Sequence, residues 1–281
     1  METSLTDRTV MVTGAAGGFG RVLVDAFLMA GANVAALDVS ERGLAAVAAA
    51  AEAAGHGGRL MTRVVDISDN TACTGAVVET RERLGEIGIL VNNGAVGMSA
   101  LRDDHMTNLV GIEEIAPATW DRFVAVNLSG AWYLTRAVVP AMKAAGWGRI
   151  ITVTTSFFTM LRGRFHPYGP TKAGLEAMSA GHAAEFEADG ITVNVVVPGG
   201  PSDTPMVPEA SGYRRQDLIA PSKMVPPILW LASRDADGVT GKRYVAAHWD
   251  ATKPIEAARK ASEAPIGWPD LAAAPVWPGG R

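Results

Sequence analysis

Cysteine is almost absent from this chain of 281 residues, which contains a single one, Cys73. One thiol can form neither an intrachain disulfide nor a multi-thiolate metal site, and this scarcity is typical of a reducing compartment. The five histidines are scattered and show no metal-ligand spacing on any one helix. The sequence therefore predicts no protein-bound metal.

Long hydrophobic runs and an excess of basic charge are also lacking. No apolar stretch approaches the ~18 uninterrupted residues of a membrane span, and Asp7 and Arg8 stand where a secretory signal would have its apolar segment. The formal net charge of -4 comes from interspersed residues, without a basic stripe for nucleic acid. We therefore expect a cytoplasmic protein that binds neither nucleic acid nor membranes.

Short β-branched runs alternate with alanine-rich helical stretches along residues 1–250. This alternation predicts βαβ units, and two of the longest helices are predicted over about 118–145 and 169–188. Runs such as VNVVV at 193–197 are apolar almost throughout, as parallel strands covered on both faces are. The pattern predicts the α/β class, with one Rossmann-like, doubly wound domain built on a seven-stranded parallel sheet.

Residues 251–281 differ in composition from this domain, because they are rich in proline and alanine and contain two tryptophans. The density of prolines excludes a long helix there. Two interpretations remain open for this C-terminal extension. It is either a loosely ordered tail or a segment that wraps over its own or a neighbouring subunit, anchored by Trp268 and Trp277.

A glycine-rich loop, TGAAGGFG at 13–20, follows the first predicted strand directly and leads into a helix. Gly14, Gly18 and Gly20 permit a tight turn and a close approach of the backbone to a diphosphate, whose charge the helix N-terminus stabilises. A glycine cluster alone is weak evidence. Its place in the first βαβ unit favours a dinucleotide-binding loop.

Asp38 ends the second predicted strand, eighteen residues after Gly20. A carboxylate there can accept hydrogen bonds from both hydroxyls of an adenosine ribose. A 2'-phosphate would meet like charge, and two unit charges about 4 Å apart repel by ~4 kcal/mol at an effective dielectric constant of 20. The nearest following cation is Arg42. The sequence therefore favours NAD over NADP.

Taken together, the motifs resemble those of the short-chain dehydrogenase/reductase family over about residues 5–250. The resemblance rests on the whole set in this order: TGAAGGFG, Asp38, Asp66, NNGA at 92–95, Asn127 in VNLSG, YGPTK at 168–172 and PGG at 198–200. It implies an NAD(H)-dependent oxidoreductase that interconverts a secondary alcohol and a ketone. It also implies a homodimer or homotetramer formed through the two long helices.

The resemblance further assigns residues to the cofactor site. They are Gly14, Gly17, Gly18, Phe19, Gly20, Asp38, Asp66, Ile67, Asn93, Gly94, Tyr168, Lys172, Pro198, Gly199 and Thr204. Three features depart from the family pattern: NNGA replaces NNAG, the stretch PGGPSDTPM is one residue longer, and the segment 97–117 is longer than usual. The assignment of Thr204 depends on the second of these.

Tyr168 and Lys172 are the candidate catalytic pair. Pro170 is tolerated in the first turn of a helix, so residues 168 and 172 lie on one side of that turn. A nearby ammonium and an oxidised nicotinamide both favour the phenolate. Lys172 then tunes Tyr168 as the general acid/base, and the resemblance adds Asn127, which holds a helix bend and a proton-relay water.

The hydroxyl partner of Tyr168 is left open between two residues. Thr155 has the family's usual spacing of thirteen residues before the tyrosine, whereas Ser156 has the usual residue type but needs a loop shorter by one residue. Nearby Phe157, Phe158 and Met160, with Met98 and Met206, suggest an apolar pocket. A hydrophobic or aromatic substrate is therefore a hypothesis.

Two other functions are compatible with an NAD site. One is a catalytically silent NAD-binding sensor or scaffold, and the other is a lyase or epimerase that uses bound NAD transiently. The presence of both Tyr168 and Lys172 argues against a silent protein, because such a protein needs neither.

Overall fold

The computed structural model describes residues 4–272, and eight strands in it form one sheet. The strands are β1 (Thr9–Thr13), β2 (Asn33–Asp38), β3 (Leu60–Val64), β4 (Ile87–Asn92), β5 (Gly148–Val153), β6 (Ile191–Val197), β7 (Lys242–Val245) and β8 (Glu263–Pro265). Their order in the sheet is β3-β2-β1-β4-β5-β6-β7-β8. Strands β2 and β3 lie on one side of β1, and the strands from β4 onward lie on the other side. In doubly wound sheets ligands bind at the carboxyl ends of the strands at such a switch point.

Helices cover both faces of this sheet. They are α1 (Gly18–Met29), α2 (Glu41–Ala53), α3 (Asn70–Leu84), α4 (Pro117–Val124), α5 (Gly130–Ala145), α6 (Phe157–Leu161), α7 (Tyr168–Phe186), α8 (Val225–Ala232), α9 (Ile255–Ser262) and α10 (Pro269–Ala272). A π-helical stretch, Ala125–Ser129, joins α4 to α5. The predicted helix over 118–145 is thus present, but residues 125–129 within it are wound as a π-helix.

Alternate residues of each strand enter two separate apolar cores. In β1, Val10 and Val12 pack with residues of α1, α2 and α8, whereas Met11 packs with residues of α3, α5 and α7. Because side chains alternate between the faces of a strand and both faces are covered, the central positions of the strand are all apolar. This explains the continuous apolar runs in the sequence.

The C-terminal extension changes the predicted strand count. Seven strands pair in parallel as expected, but Glu263–Pro265 adds an eighth, antiparallel to β7. The prediction of seven strands was wrong because this strand is only three residues long and ends in a proline, a composition that does not indicate a strand. The division of the chain at residue 250 stays a prediction.

Trp268 of the extension lies against the domain, with its ring centre 5.6 Å from that of Phe157. This part of the extension therefore packs on its own chain. The second proposed anchor, Trp277, lies outside the described residues. Within residues 4–272, no helix is both long and apolar enough to cross a lipid bilayer.

Candidate active site

The glycine loop joins β1 to α1 in a conformation that side chains would prevent. Gly14 has a φ of 63°, and a Cβ there would lie 2.8 Å from the Cα of Gly94. A Cβ on Gly20 would collide with the carbonyl oxygen of Gly14, and one on Gly18 would collide with the side chain of Thr204. The loop is therefore a bare backbone surface packed against the ends of two neighbouring strands.

The N-terminus of α1 opens onto this surface. Its N-cap residue is Gly17, which supplies no side chain to accept hydrogen bonds from the first N–H groups of the helix. Such a terminus attracts anions, and Phe19 beside it lines the large cavity described below. A cradle of backbone with exposed N–H groups fits a dinucleotide diphosphate.

Asp38 lies at the end of β2, next to the glycine loop. Its carboxylate accepts hydrogen bonds from the backbone N–H of Ala16, at 3.0 Å, and from that of Ser40, at 2.9 Å. The side chain is partly exposed, and each carboxylate oxygen has a second lone pair. The structure thus fixes the Asp38 carboxylate beside the glycine loop.

Thr13 holds the glycine loop to the end of β4, and it was missed in the sequence. Its hydroxyl oxygen accepts hydrogen bonds from the backbone N–H groups of Asn93, at 3.0 Å, and Gly94, at 2.8 Å. The Asn93 side chain in turn donates to the carbonyl oxygens of Thr13 and Gly14. Asn93 and Gly94 therefore lie beside the cradle, and Asn93 also lines the cavity.

Asp66 and Ile67 follow β3 at the same edge of the sheet. The Asp66 carboxylate accepts hydrogen bonds from the Ser68 hydroxyl, at 2.7 Å, and the Ser68 backbone N–H, at 2.9 Å, and these bonds lower the pKa of Asp66. The Ile67 side chain lies close to Gly94, since a Cβ on Gly94 would lie 3.2 Å from Ile67 Cδ1. Both residues are thus placed on the β2–β3 side of the cradle.

Asn127 lies in the π-helical stretch between α4 and α5 and is 1 % exposed. Its amide oxygen accepts a hydrogen bond from Val96 N–H at 2.7 Å, and its amide nitrogen donates to the Val96 carbonyl at 3.0 Å. The same nitrogen donates to the Thr171 hydroxyl at 3.1 Å, which itself donates to the Tyr168 carbonyl. Asn127 therefore ties the loop after β4 to the first turn of α7.

Tyr168 and Lys172 occupy that first turn, as the sequence predicts. The Lys172 ammonium donates to the Val153 carbonyl at 2.9 Å and lies 5.9 Å from the Tyr168 ring centre. Burial raises the pKa of the Tyr168 phenol to about 12 and lowers the pKa of Lys172 to about 8, because the interior disfavours the charged form of each. Each group is therefore shifted toward its uncharged form.

The three hydroxyls after β5 have different partners. The Thr155 side chain lies beside Tyr168 in the same cavity wall and lowers the pKa of the phenol. The Ser156 hydroxyl instead caps α6, accepting a hydrogen bond from Thr159 N–H at 3.1 Å. The Thr154 hydroxyl points away and donates to a Glu176 carboxylate oxygen at 2.7 Å. Of the two candidates, the structure brings Thr155 to the tyrosine.

A cavity of about 470 Å³ connects these elements. Tyr168, Lys172, Thr155 and Ser156 form part of its wall, and Asn93, Phe19, Pro198, Gly199 and Thr204 lie along the remainder. Gly199 has a φ of 105°, and a Cβ there would lie 2.9 Å from the Ala247 Cβ. The predicted catalytic hydroxyls and seven of the fifteen predicted cofactor residues thus share one space. The other eight do not line it: Gly14, Gly17, Gly18, Gly20, Asp38, Asp66, Ile67 and Gly94.

A buried ion pair behind this wall was also missed in the sequence. Arg243 of β7 lies 2.9 Å from the Glu176 carboxylate of α7, and the two side chains are 5 % and 0 % exposed. Arg243 also donates to the Thr155 carbonyl oxygen at 2.7 Å, and the backbone N–H of Gly267 donates to Glu176. A charged residue in an apolar strand gives no periodic signal, so only the fold reveals the pair.

The doubly wound sheet, the backbone cradle at its switch point and the Tyr–Lys turn beside it define a dinucleotide-binding enzyme. Residues 8–213 match the family model described as short chain dehydrogenase. The chain belongs to the short-chain dehydrogenase family, whose members use nicotinamide cofactors, and it is an oxidoreductase. No group of three or more potential metal ligands is found within the described part, residues 4–272.

Similar proteins cover most of the chain. It is 31% identical over 247 residues to a hydroxy(phenyl)methylsuccinyl-CoA dehydrogenase subunit of Thauera aromatica, covering 85% of this chain and 94% of the relative. It is 30% identical over 244 residues to the 3-oxoacyl-(acyl-carrier-protein) reductase of Escherichia coli K12, covering 84% and 93%. The crystal structure of a 3-oxoacyl-(acyl-carrier protein) reductase with bound NAD from Brucella melitensis has a TM-score of 0.73 and 29% identity, covering 86% of this chain and 90% of that one.

Proposed function

We propose that this oxidoreductase interconverts a secondary alcohol and a ketone with NAD(H), using Tyr168 as the general acid/base. The proposal is carried by one observation, the meeting of Tyr168, Lys172 and Thr155 in the wall of a cavity that reaches the dinucleotide cradle. One of the two relatives is named as a dehydrogenase of a hydroxy-substituted compound, and the other is named as a reductase of a 3-oxoacyl compound. Both names support chemistry at a carbon that bears oxygen.

The roles of the chain's own residues follow from their positions. In the oxidation, the Tyr168 oxygen accepts the proton of the substrate hydroxyl, and in the reduction it returns that proton. The Thr155 hydroxyl hydrogen-bonds the substrate oxygen and stabilises the charge that develops there. Lys172 uses one of its three N–H donors on the Val153 carbonyl, and the others are directed to the nicotinamide ribose, as the family resemblance implies. When bound, the cofactor supplies the hydride acceptor or donor.

Asn127 acts in this proposal as a positioning residue. Both atoms of its side-chain amide are engaged by Val96 and Thr171, so it holds the first turn of α7 at a fixed distance from the strand ends. The cofactor-binding roles of the glycine loop, Asp66, Ile67, Asn93, Pro198, Gly199 and Thr204 belong to the same proposal. Their support is their common location around the cavity and the cradle.

The preference for NAD over NADP rests on Asp38. Its fixed carboxylate would repel a 2'-phosphate, and even half of the repulsion of ~4 kcal/mol expected at 4 Å exceeds a tenfold preference. The solved reductase with bound NAD supports the same class of cofactor. A cytoplasmic location is a further part of the proposal, supported by the single cysteine of the chain.

The proposal is tested with a panel of secondary alcohols and ketones, assayed at 340 nm with NAD and NADP in parallel. We expect net NADH formation with at least one alcohol, a kcat/KM for NAD more than tenfold that for NADP, and a loss of about 100-fold or more in kcat for Tyr168→Phe with NAD binding kept. Binding of NAD without any turnover would favour the silent sensor or scaffold. Conversion of substrate without net NADH would favour the lyase or epimerase.

The assembly of two or four chains through the long helices is also proposed. Trp120 of α4 and Trp132 of α5 are 42% and 45% exposed in the single chain. Aromatic residues are enriched at protein interfaces. The support is thus two exposed tryptophans in one of the two long helices that the family resemblance assigns to subunit contacts.

A further inference from the structure

Large apolar side chains line much of the cavity, and one arginine lies among them. Met98, Met106, Phe165, Met206 and Tyr213 contribute to its lining, and no residue that lines it is an aspartate or glutamate. Arg162, which directly follows α6, also lies in the wall. An arginine facing an apolar cavity costs solvation unless it gains an anionic partner.

Arg162 has no such partner within residues 4–272. No described carboxylate lies within 4.0 Å of its guanidinium, whose hydrogen-bond donors also contact no described acceptor. Its guanidinium carbon lies 4.8 Å from the ring centre of Phe165 and 5.9 Å from that of Phe158. The side chain is half-buried. Its planar donor fork is therefore held by aromatic rings and directed to no protein acceptor.

The same ring connects Arg162 to the catalytic tyrosine. Phe165 is 6 % exposed, and its ring packs edge-to-face on Tyr168 with centres 6.4 Å apart. His105 also packs against Phe165, and burial lowers the pKa of His105. His105 is thus shifted toward its uncharged form, and apart from the catalytic Lys172, Arg162 is the only lysine or arginine among the described residues that line the cavity.

We propose that the substrate carries a carboxylate on an apolar or aromatic body, and that Arg162 binds this carboxylate while Tyr168 acts on the alcohol or ketone. The inference rests on the proposed alcohol–ketone activity and specifies its substrate class. A guanidinium pairs with a carboxylate through two parallel N–H···O bonds. The Met and aromatic side chains of the cavity bury the body between the two ends.

The activity test compares hydroxy acids with their uncharged amides, using 3-hydroxy-3-phenylpropanoate, longer aryl and alkyl homologues, and the matching carboxamides. Wild type is expected to prefer the acids by about 10- to 100-fold in kcat/KM, the range of a charge-assisted hydrogen-bond pair. Arg162→Gln should remove this preference through KM, and Arg162→Lys should keep part of it. Arg164→Gln, an exposed arginine in the same loop that does not line the cavity, is the matched control and should keep the preference.

A binding measurement provides a readout that is independent of turnover. Calorimetric titration of the full chain with 3-phenylpropanoate and with 3-phenylpropanamide, neither of which can be oxidised at a carbinol, should show tighter binding of the acid in wild type and Arg164→Gln. In Arg162→Gln the two probes should bind equally. Equal binding and equal turnover of acid and amide in wild type overturn the carboxylate inference while the alcohol–ketone activity stands. Preferential acid binding without turnover of any alcohol supports the carboxylate site at Arg162 and contradicts the alcohol–ketone activity.

Discussion

The Tyr168 phenol and the Lys172 ammonium show that proximity of charge does not settle the protonation of a buried group. The sequence suggests that the ammonium favours the phenolate, yet in the chain itself burial raises the pKa of Tyr168 to about 12 and lowers that of Lys172 to about 8. The Thr155 side chain is the contribution that lowers the pKa of Tyr168. Thr155 therefore has two proposed effects, on the substrate oxygen and on the phenol.

Removal of the Thr155 hydroxyl should slow turnover and move its pH dependence. Thr155→Ala is expected to lower kcat by about 100-fold, as for loss of one donor to a developing oxyanion. Because the Thr155 hydroxyl had lowered the pKa of Tyr168, that pKa rises on its removal, and the alkaline rise of alcohol oxidation moves to higher pH. The measurement is the pH profile of kcat in the oxidative direction.

Ser156→Ala is the matched control for this change. Its hydroxyl caps α6, so the variant should lose about 1 kcal/mol of stability while its pH profile stays at the wild-type position. If Ser156→Ala instead loses the larger part of kcat and Thr155→Ala does not, Ser156 is the catalytic hydroxyl and the proposed role of Thr155 is wrong.

The sequence could narrow this hydroxyl to two residues but could not choose between them. Spacing favoured Thr155 and residue type favoured Ser156, and the choice depends on how the chain leaves β5. In the structure α6 begins at Phe157, so the hydroxyl before it serves as the cap and the one before that reaches Tyr168. A five-residue helix leaves too weak a pattern to be recognised beforehand.

At the scale of elements, Arg243 and Glu176 join β7 to α7 behind the catalytic wall. Arg243→Met leaves the Glu176 carboxylate buried without its partner, and the expected loss is about 3–5 kcal/mol in the free energy of unfolding. The double variant Arg243→Met/Glu176→Leu removes both charges and should recover most of that loss. Urea unfolding monitored by tryptophan fluorescence measures both.

An exposed ion pair provides the comparison for this experiment. Arg214 and Asp217 form a salt bridge with side chains 74% and 47% exposed, and Arg214→Met should cost less than about 1 kcal/mol. A cost of Arg243→Met as small as that of Arg214→Met would show that the buried pair does not stabilise the contact between β7 and α7.

The elements themselves were largely predictable, and the exceptions have a common cause. The apolar periodicity located the seven parallel strands and the long helices, because each of these buries a continuous face. The family resemblance implied a helix bend at Asn127, but the π-helical form of Ala125–Ser129 was not visible, since the Asn127 amide is held by Val96 about thirty residues earlier. Local composition cannot report a contact that only the folded chain creates.

At the scale of the whole molecule, the proposed assembly is tested by mass. Light scattering should give the mass of two or four chains, because an interface that covers Trp120 and Trp132 can reach the ~1,000 Å² that a specific association needs. Trp132→Asp places a charge in that interface and should shift the mass toward a single chain. Met29→Asp, at a residue 71% exposed on α1, is the control, and a single-chain mass for wild type contradicts the proposal.

The eighth strand has a consequence for the solution behaviour of the protein. An unpaired edge strand offers its N–H and C=O groups to other chains and so templates aggregation. β8 covers β7 along this border, and its last residue, Pro265, has no N–H to extend the ladder. The short strand of the C-terminal extension therefore shields the edge of β7 from other chains. A chain that ends before residue 263 would expose this edge of β7 to neighbouring chains and precipitate, with its Tyr–Lys turn still formed.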